Sequence, residues 1–365
     1  MLTDRLLMGP GPSNPYPDAV AALGRPMLGH MDPEFIGIMD ETMDRLRQVF
    51  RTTNPLTLPV SGTGSAGMEA CFVNLVEPGD TVVIGANGVF GDRMCEVARR
   101  CGAEVVRVEE EWGRALDPQR LLDAHAQHPH ARLVAVVHAE TSTGVRNEVA
   151  PLRALQDTDT LFVLDTVTSL AGIPLEVDGW GVDAVYSGTQ KCLSVAPGLS
   201  PVSFSPRAVE RITSRTVPVQ SWYLDLGLIA NYVAGASRVY HHTAPVSMVY
   251  SLHAALGVVL EEGLENVWAR HQRVGDLLQA QLPELGFTLL AQEGHRLPDL
   301  TTAWIPEGLD DAGVRRTLLT EYGIEVAGGL GAFAGKAWRI GCMGHTARER
   351  SVVALMGALR QILGG

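Results

Sequence analysis

Lysine is rare in this chain, and its rarity singles out one position. The sequence contains 29 Lys and Arg residues, of which only Lys191 and Lys336 are lysines. Arginine stays protonated in proteins and cannot act as an amine nucleophile, whereas a neutral lysine can form a Schiff base. Lys191 follows the strand-like run 182–185, so we predict that it is a catalytic amine. Lys336 lies between Gly335 and Ala337 and is equally well explained as a surface lysine.

An acidic residue closes another apolar run. Asp165 directly follows residues 161–164, Leu-Phe-Val-Leu. Ligands of open α/β sheets bind at the carboxyl ends of strands, and a carboxylate there can keep a pyridine nitrogen protonated. Taken alone, Asp165 is equally well explained as the cap of the turn before Ser169.

A glycine-rich segment precedes both residues. Residues 61–67 read Ser-Gly-Thr-Gly-Ser-Ala-Gly, between a strand-like run and a helical one. The spacing matches the dinucleotide fingerprint, but no acid closes the next strand, as that fingerprint requires. We therefore predict a helix N-terminus that binds a phosphate, aided by the hydroxyls of Thr63 and Ser65. A phosphate site, an acid and an amine are together what pyridoxal 5′-phosphate needs.

Other side chains suggest substrate contacts. Arg339 lies on a mostly apolar strand, where its guanidinium is predicted to bind a substrate carboxylate bidentately; a structural ion pair is the alternative. Phe90 could stack on a flat ring, although such a residue alone is more often part of the core. His241 and His242 are adjacent and would point opposite ways on an extended chain, so we expect no metal site.

The elements that position these residues alternate along the first half of the chain. A helix is predicted from Asp32-Pro33, and strands at 56–60, 81–84, 104–108, 133–137 and 161–164 alternate with helices. This pattern is typical of a mostly parallel sheet covered on both faces. Beyond Ser205, residues 216–245 are predicted to be irregular, a helical stretch runs over 247–285, and a smaller α+β unit ends the chain. We predict an N-terminal arm (1–20), a large domain (21–255) and a small C-terminal domain (256–365).

Composition excludes several classes of protein. The 365 residues exceed what one core usually supports, and the net charge of −12 argues against nucleic acid and anionic membranes as partners. The five cysteines form no C-x-x-C pair, which argues against a disulfide framework or a zinc site. No apolar run reaches the length of a membrane span. We predict a cytoplasmic protein.

On these and further motifs the chain resembles the class V aminotransferases, a branch of the fold type I pyridoxal-phosphate enzymes. Within them it is most similar to the alanine/serine–glyoxylate aminotransferases. The shared motifs occur along nearly the whole chain, at residues 8–14, 54–58, 77–80, 85–88, 140–144, 187–191, 240–243 and 327–331. The resemblance implies a large domain with a mostly parallel seven-stranded sheet and a smaller C-terminal α+β domain.

The resemblance also implies a role for each matching residue. Lys191 is the Schiff-base lysine and proton carrier, Asp165 pairs with the pyridinium, and Arg339, near the backbone of Gly11, binds the substrate carboxylate. The remaining implied contacts are with the cofactor phosphate (Thr63, Gly64, Ser65 and Gln190), its ring hydroxyl (Thr141), its ring face (Phe90) and the phosphate of the partner subunit (Tyr240 and Thr243). The last pair implies an obligate homodimer. Phe90 stands where animal members have Trp, and Ser65 where they have His.

The implied activity is transfer of an amino group from alanine or serine to glyoxylate or pyruvate. A ureidoglycine–glyoxylate aminotransferase is the nearest alternative, but that branch is expected to carry Gln and Asn where this chain has His30 and Tyr240. His30 is accordingly predicted to contact the substrate. A lyase such as a cysteine desulfurase is a more distant alternative, since residues 328–338 lack the cysteine that those enzymes carry. A non-catalytic cofactor-binding protein would not need Arg339.

Overall fold

The computed structural model describes residues 4–233 and 238–364, and the elements below belong to these ranges. The helices are α1 (Pro17–Leu23), α2 (Pro33–Phe50), α3 (Gly64–Leu75), α4 (Val89–Arg100), α5 (Pro118–Gln127), α6 (Pro206–Thr213), α7 (Leu226–Val233), α8 (Val246–Glu262), α9 (Leu264–Gln281), α10 (Asp311–Glu321) and α11 (Glu349–Leu363). The strands are β1 (Leu6–Leu7), β2 (Leu56–Ser61), β3 (Thr81–Ala86), β4 (Glu104–Glu109), β5 (Leu133–Val137), β6 (Ala139–Glu140), β7 (Val145–Arg146), β8 (Leu161–Asp165), β9 (Ala184–Tyr186), β10 (Leu199–Phe204), β11 (Thr288–Leu289), β12 (Leu300–Trp304), β13 (Ile324–Glu325), β14 (Ala327–Gly328) and β15 (Ala337–Gly341).

The central sheet has seven strands in the order β2-β10-β9-β8-β5-β3-β4. Only β10 runs against its neighbours, so β2, β3, β5, β8 and β9 all end at the same edge. Strands β5 and β8 are buried along their whole length, which explains their uninterrupted apolar sequences. The prediction of a mostly parallel sheet is confirmed.

Local signals set several helix starts. Asp32 caps α2 by accepting a hydrogen bond from the backbone N–H of Glu34 at 2.8 Å, and Pro33 occupies the first helical position. Asp117 caps α5 in the same way, followed by Pro118. The predicted helix from Asp32-Pro33 is therefore confirmed.

A second, four-stranded sheet has the order β11-β12-β15-β14 and is antiparallel where its strands pair. It packs around its own apolar cluster, which contains Trp338, Phe287 and the inner faces of α9 and α11. The N-terminal segment joins this unit: β1 pairs with β13, and Gly341 N donates to the carbonyl of Met8 at 2.8 Å. The segment then crosses to the large sheet, where Ser13 N donates to the carbonyl of Gln190 at 2.9 Å.

Two features of the chain differ from the sequence-based expectation. Residues 226–233, predicted to be irregular, form helix α7, whose first turn is capped by the side chain of Asp225 and whose buried face includes Leu226 and Ile229. Strand β10 was not predicted because it is rich in serine and contains Pro201. Its serine hydroxyls are satisfied internally, as in the 2.8 Å contact between Ser203 and Thr57.

The domain boundaries remain predictions. Position 20 falls inside α1 and position 255 inside α8, so neither lies in a loop. No helix in the described part of the chain is both long and apolar enough to cross a bilayer.

Candidate active site

The common edge of the central sheet collects most of the predicted site residues. Each of five strands ends there and is followed by one or more of them: Thr63, Gly64 and Ser65 after β2, Phe90 after β3, Thr141 after β5 and β6, Asp165 at the end of β8, and Gln190 and Lys191 after β9. Parallel strands therefore bring together residues that are up to 128 positions apart.

Lys191 lies at the centre of this edge. Its Nζ donates a hydrogen bond to the carbonyl oxygen of Pro10 in the N-terminal segment. Burial and, to a smaller extent, the positive charge of Arg339 together lower the pKa of Lys191 to about 8, although the charge of Asp165 acts in the opposite direction. A substantial fraction of this amine is thus neutral near pH 8. Lys336, the other lysine, is exposed.

Asp165 is buried beside Lys191. Its Oδ1 accepts a hydrogen bond from Val167 N at 2.8 Å, so the predicted role as a turn cap is fulfilled by one oxygen. Burial raises the pKa of Asp165 to about 6, while the hydrogen bond from Val167 and the charge of Lys191 act in the opposite direction. Because the buried Asp165 carboxylate is destabilised, it would be stabilised by a cationic ring nitrogen placed next to it.

The start of helix α3 forms the predicted phosphate site. Thr63 is its N-cap, but the Thr63 side chain makes no capping hydrogen bond, and both Thr63 and Ser65 are exposed. The first N–H groups of a helix have no partner within it, so they remain available to an anion. Nearby in sequence to Lys191, the buried Oε1 of Gln190 also lacks a hydrogen-bond partner among the described residues.

Arg339 reaches the site from β15 of the second sheet. It is buried, and its Nε donates to the carbonyl oxygen of Gly328 at 3.0 Å. No carboxylate of the described residues lies within 4.0 Å of it, so the alternative of a structural ion pair finds no support. Gly11 also lies at this junction, because a Cβ there would be only 2.7 Å from Lys191 Nζ.

Sequence reasoning missed Glu140. It is fully buried, and its carboxyl group accepts hydrogen bonds from the backbone N–H groups of Phe90 and Gly91 at 3.1 and 3.2 Å. Thr141, the next residue, is also buried. The signal was present, because Glu140 is an acid just after an apolar strand, as Asp165 is.

Three predicted residues form a separate group. The ring of His30 lies 5.2 Å from that of Tyr240, and its carbonyl accepts a hydrogen bond from Tyr232 at 3.2 Å. Tyr240 and Thr243 are exposed. Among the described residues, no hydrogen bond joins His30, Tyr240 or Thr243 to Lys191, whose Nζ donates to Pro10.

The expectation for the two adjacent histidines was wrong in its geometry. The Nδ1 atoms of His241 and His242 lie 2.8 Å apart, because His241 stacks on Trp222 and His242 turns toward Ser61 instead of following an extended strand. Across residues 4–233 and 238–364, no three His, Cys, Asp or Glu side chains are close enough to share a metal ion.

The residues at the sheet edge fit pyridoxal phosphate. A partly neutral lysine amine can take the aldehyde, a buried carboxylate can take the ring nitrogen, and a helix N-terminus with free donors can take the phosphate. Gln190 supplies a buried, unpartnered polar atom at the same place.

Comparison with known proteins agrees with this chemistry. The family model described as "Aminotransferase class-V" matches residues 13–343. This chain belongs to the class V aminotransferases. The enzyme is therefore a pyridoxal-phosphate-dependent transaminase.

Three relatives of this aminotransferase cover nearly the whole chain. The alanine–glyoxylate aminotransferase of Callithrix jacchus is 41% identical over 98% of this chain and 87% of its own length. The crystal structure of an alanine–glyoxylate aminotransferase from Nostoc sp. is 46% identical and superposes with a TM-score of 0.96, covering 100% of this chain and 96% of its own. The ureidoglycine–glyoxylate aminotransferase of Bacillus subtilis is 38% identical, with a TM-score of 0.97 and coverages of 100% and 94%. These structural neighbours also confirm the fold type I prediction.

Proposed function

We propose that this aminotransferase moves the amino group of alanine or serine to glyoxylate, with pyruvate as a second acceptor. The observation that carries this proposal is Arg339, a buried guanidinium beside Lys191 whose charge no described carboxylate neutralises within 4.0 Å. Amino acids and 2-oxo acids share an α-carboxylate, which such a guanidinium binds bidentately. Two of the relatives above are alanine–glyoxylate aminotransferases.

We assign each residue one part of the reaction. Arg339 and the backbone at Gly11 orient the α-carboxylate so that Cα faces Lys191, whose neutral amine removes the α-proton and returns a proton to the cofactor side. Asp165 keeps the ring nitrogen protonated. The bound cofactor supplies the electron sink for the charge that develops at Cα. The other contacts hold the cofactor: Thr63, Gly64, Ser65 and Gln190 its phosphate, Thr141 its ring hydroxyl and Phe90 its ring face.

We further propose a homodimer with shared active sites. Trp222, Tyr223 and Tyr240 expose 61%, 44% and 59% of their surfaces, which is unusual for aromatic side chains clustered on one surface. In the dimer, the partner's Tyr240 and the partner's Thr243 would reach the phosphate. The contact between the rings of His30 and Tyr240 means that His30 would enter the substrate site from the same neighbouring subunit.

Complementation tests the shared site. A Lys191→Ala subunit is expected to be inactive alone and a Thr243→Ala subunit only weakly active. Mixed together, they should recover about one intact active site per heterodimer. A fully active monomer in light scattering, or no recovery in heterodimers of confirmed composition, contradicts the shared-site proposal.

The (S)-ureidoglycine alternative concerns which amino donor fits beside His30 and Tyr240. A ureido group needs polar partners, and each unpaired polar group in a closed pocket costs about 1–3 kcal/mol. The ureidoglycine branch is expected to carry amide side chains at these two positions. The imidazole of His30 and the phenol of Tyr240 are bulky and are not amides, so they favour a short donor side chain. The measurement is kcat/KM for alanine, serine and (S)-ureidoglycine at fixed glyoxylate. A tenfold lead of ureidoglycine, about 1.4 kcal/mol, would reverse the donor assignment and leave the transaminase intact.

The desulfurase alternative receives no support from the cysteines. Cys342, which follows Arg339, is fully buried, and burial raises the pKa of its thiol to about 12, so it is a poor nucleophile. All five cysteines are buried and unpaired. These thiols are compatible with the reducing cytoplasm, which we propose as the location of the enzyme.

A further inference from the structure

Glu140 links two segments that flank the cofactor site. Its Oε2 accepts the backbone N–H groups of Phe90 and Gly91, in the first turn of α4, at 3.1 and 3.2 Å. Its Oε1 accepts the backbone N–H of Ser142 at 3.1 Å and the Ser142 hydroxyl at 2.5 Å. One carboxyl group therefore satisfies four donors, from the segment after β3 and from the segment after β5.

Glu140 forms no close ion pair. It is completely buried, and no Arg, Lys or His of the described residues lies within 4.0 Å of it. Its charge acts on Arg339 only from a longer distance, where it raises the Arg339 pKa against the larger effect of burial. Burial raises the pKa of Glu140 to about 7, and the hydrogen bonds from Ser142 and Gly91 counteract that rise. Burial of a carboxyl group without a charge partner costs free energy, and the four hydrogen bonds offset that cost. The carboxyl group and its donors therefore hold each other in place.

The surrounding backbone is fitted closely to Glu140. A Cβ at Gly88 would lie 2.4 Å from Glu140 Cδ and 2.5 Å from Ser142 Oγ. The turn that leads into α4 is therefore in close contact with the Glu140 side chain, with no room for a side chain at Gly88. The Ser142 hydroxyl also accepts a hydrogen bond from Val89 N at 3.0 Å, which adds a second connection between the two segments.

Both segments carry a side chain that the proposed function assigns to the same ring. Phe90 donates its own N–H to Glu140, and Thr141 is the residue after Glu140. These residues follow different strands, so their relative position depends on a link between the two loops. We propose that Glu140 is a positioning residue that fixes the Phe90 ring and the Thr141 hydroxyl against each other, and thereby sets the affinity and orientation of the cofactor. This inference rests on the proposed cofactor contacts of those two residues, but not on the identity of the amino donor.

The test is the cofactor affinity of Glu140→Gln. The amide keeps the shape of the side chain, but its NH2 group must face donors on one side or the other. We expect the dissociation constant for pyridoxal phosphate, measured by dialysis and absorbance on the full-length protein, to rise at least tenfold. The visible band of the bound cofactor should also shift, since the ring is held less rigidly.

Asp183→Asn is the matched control. Asp183 is likewise buried and accepts a backbone N–H, from Phe162 at 2.9 Å, and a serine hydroxyl, from Ser205 at 2.7 Å, with Arg207 at 3.6 Å. It precedes β9 and so lies at the opposite edge of the sheet from Lys191. We expect this variant to lower the thermal midpoint of the protein but to keep the wild-type cofactor affinity and band.

Two results overturn the proposal: cofactor affinity within twofold of wild type in Glu140→Gln, or an equal loss in Asp183→Asn. If Glu140→Gln does not fold, Ser142→Ala replaces it, because it removes one of the four bonds and the link to Val89. At least a threefold loss of affinity then supports the proposal, and no loss overturns it. Failure of the proposed function is distinguishable, since an enzyme that binds the cofactor but does not use alanine or serine leaves these binding measurements unaffected.

Discussion

Substituting Gly11 tests how the N-terminal segment positions Lys191. The backbone at Gly11 has φ +113°, and a Cβ there would lie 2.7 Å from both Nζ and Cδ of Lys191 and 2.9 Å from Cε. Favourable contacts between such atoms begin near 3.5 Å, so in Gly11→Ala the lysine must move by about 1 Å. Misplacement of a reacting group by that distance can lower the rate by about 100-fold.

Two separate costs are expected in Gly11→Ala. A backbone conformation that L-residues rarely adopt costs on the order of 1–3 kcal/mol of folding free energy. Displacement of the lysine costs activity instead, because the atoms that clash belong to the far end of a flexible side chain that can swing away. We therefore expect a modest loss of stability together with a kcat about 100-fold lower.

Gly79→Ala separates the two costs. Gly79 has φ +89°, and a Cβ there would meet no atom within 4 Å. This control should lose about as much stability as Gly11→Ala but keep its kcat. The assays are steady-state kcat at saturating substrates and the midpoint of thermal unfolding. If Gly11→Ala keeps kcat within threefold of wild type, or if Gly79→Ala loses activity equally, the close approach to Lys191 does not control the reaction.

Three further predictions concern the sheet edge and Arg339. Lys191→Ala should abolish turnover and the visible band that borohydride would otherwise trap on the protein; a variant that keeps both rules out Lys191 as the amine. Arg339→Lys keeps the positive charge but loses the planar guanidinium that can bind a carboxylate bidentately. KM for both substrates should therefore rise about tenfold or more, while the cofactor band is retained. Unchanged KM values would reject the role of Arg339 in binding the carboxylate. The rate at which cofactor-free protein takes up pyridoxal phosphate should rise with pH, with a midpoint at about pH 8 and a plateau about one pH unit higher, because only the neutral Lys191 amine attacks. In Arg339→Gln the loss of a neighbouring cation raises the pKa of Lys191, so this midpoint should move to higher pH; a shift to lower pH contradicts the assignment.

The sequence predicted well those parts of the fold that are encoded locally. Apolar runs such as residues 133–137 and 161–164 are buried parallel strands, and the Asp32-Pro33 pair starts α2. Because parallel strands end at one edge, the position of Asp165 and Lys191 just after their strands already predicted their proximity. Helix α7 was missed although its buried residues have helical spacing, since the aromatic residues around it obscured the pattern.

The type of sheet, the cofactor chemistry and the edge at which that chemistry occurs could therefore be predicted from residue types and spacing. The groups that meet across long separations could not. Glu140 accepts a hydrogen bond from Phe90 across 50 residues, Arg339 approaches Lys191 from a different sheet, and His30 packs against Tyr240. The physical reason is that local sequence sets the direction of a strand and the start of a helix, whereas these contacts depend on how separately formed units pack against each other.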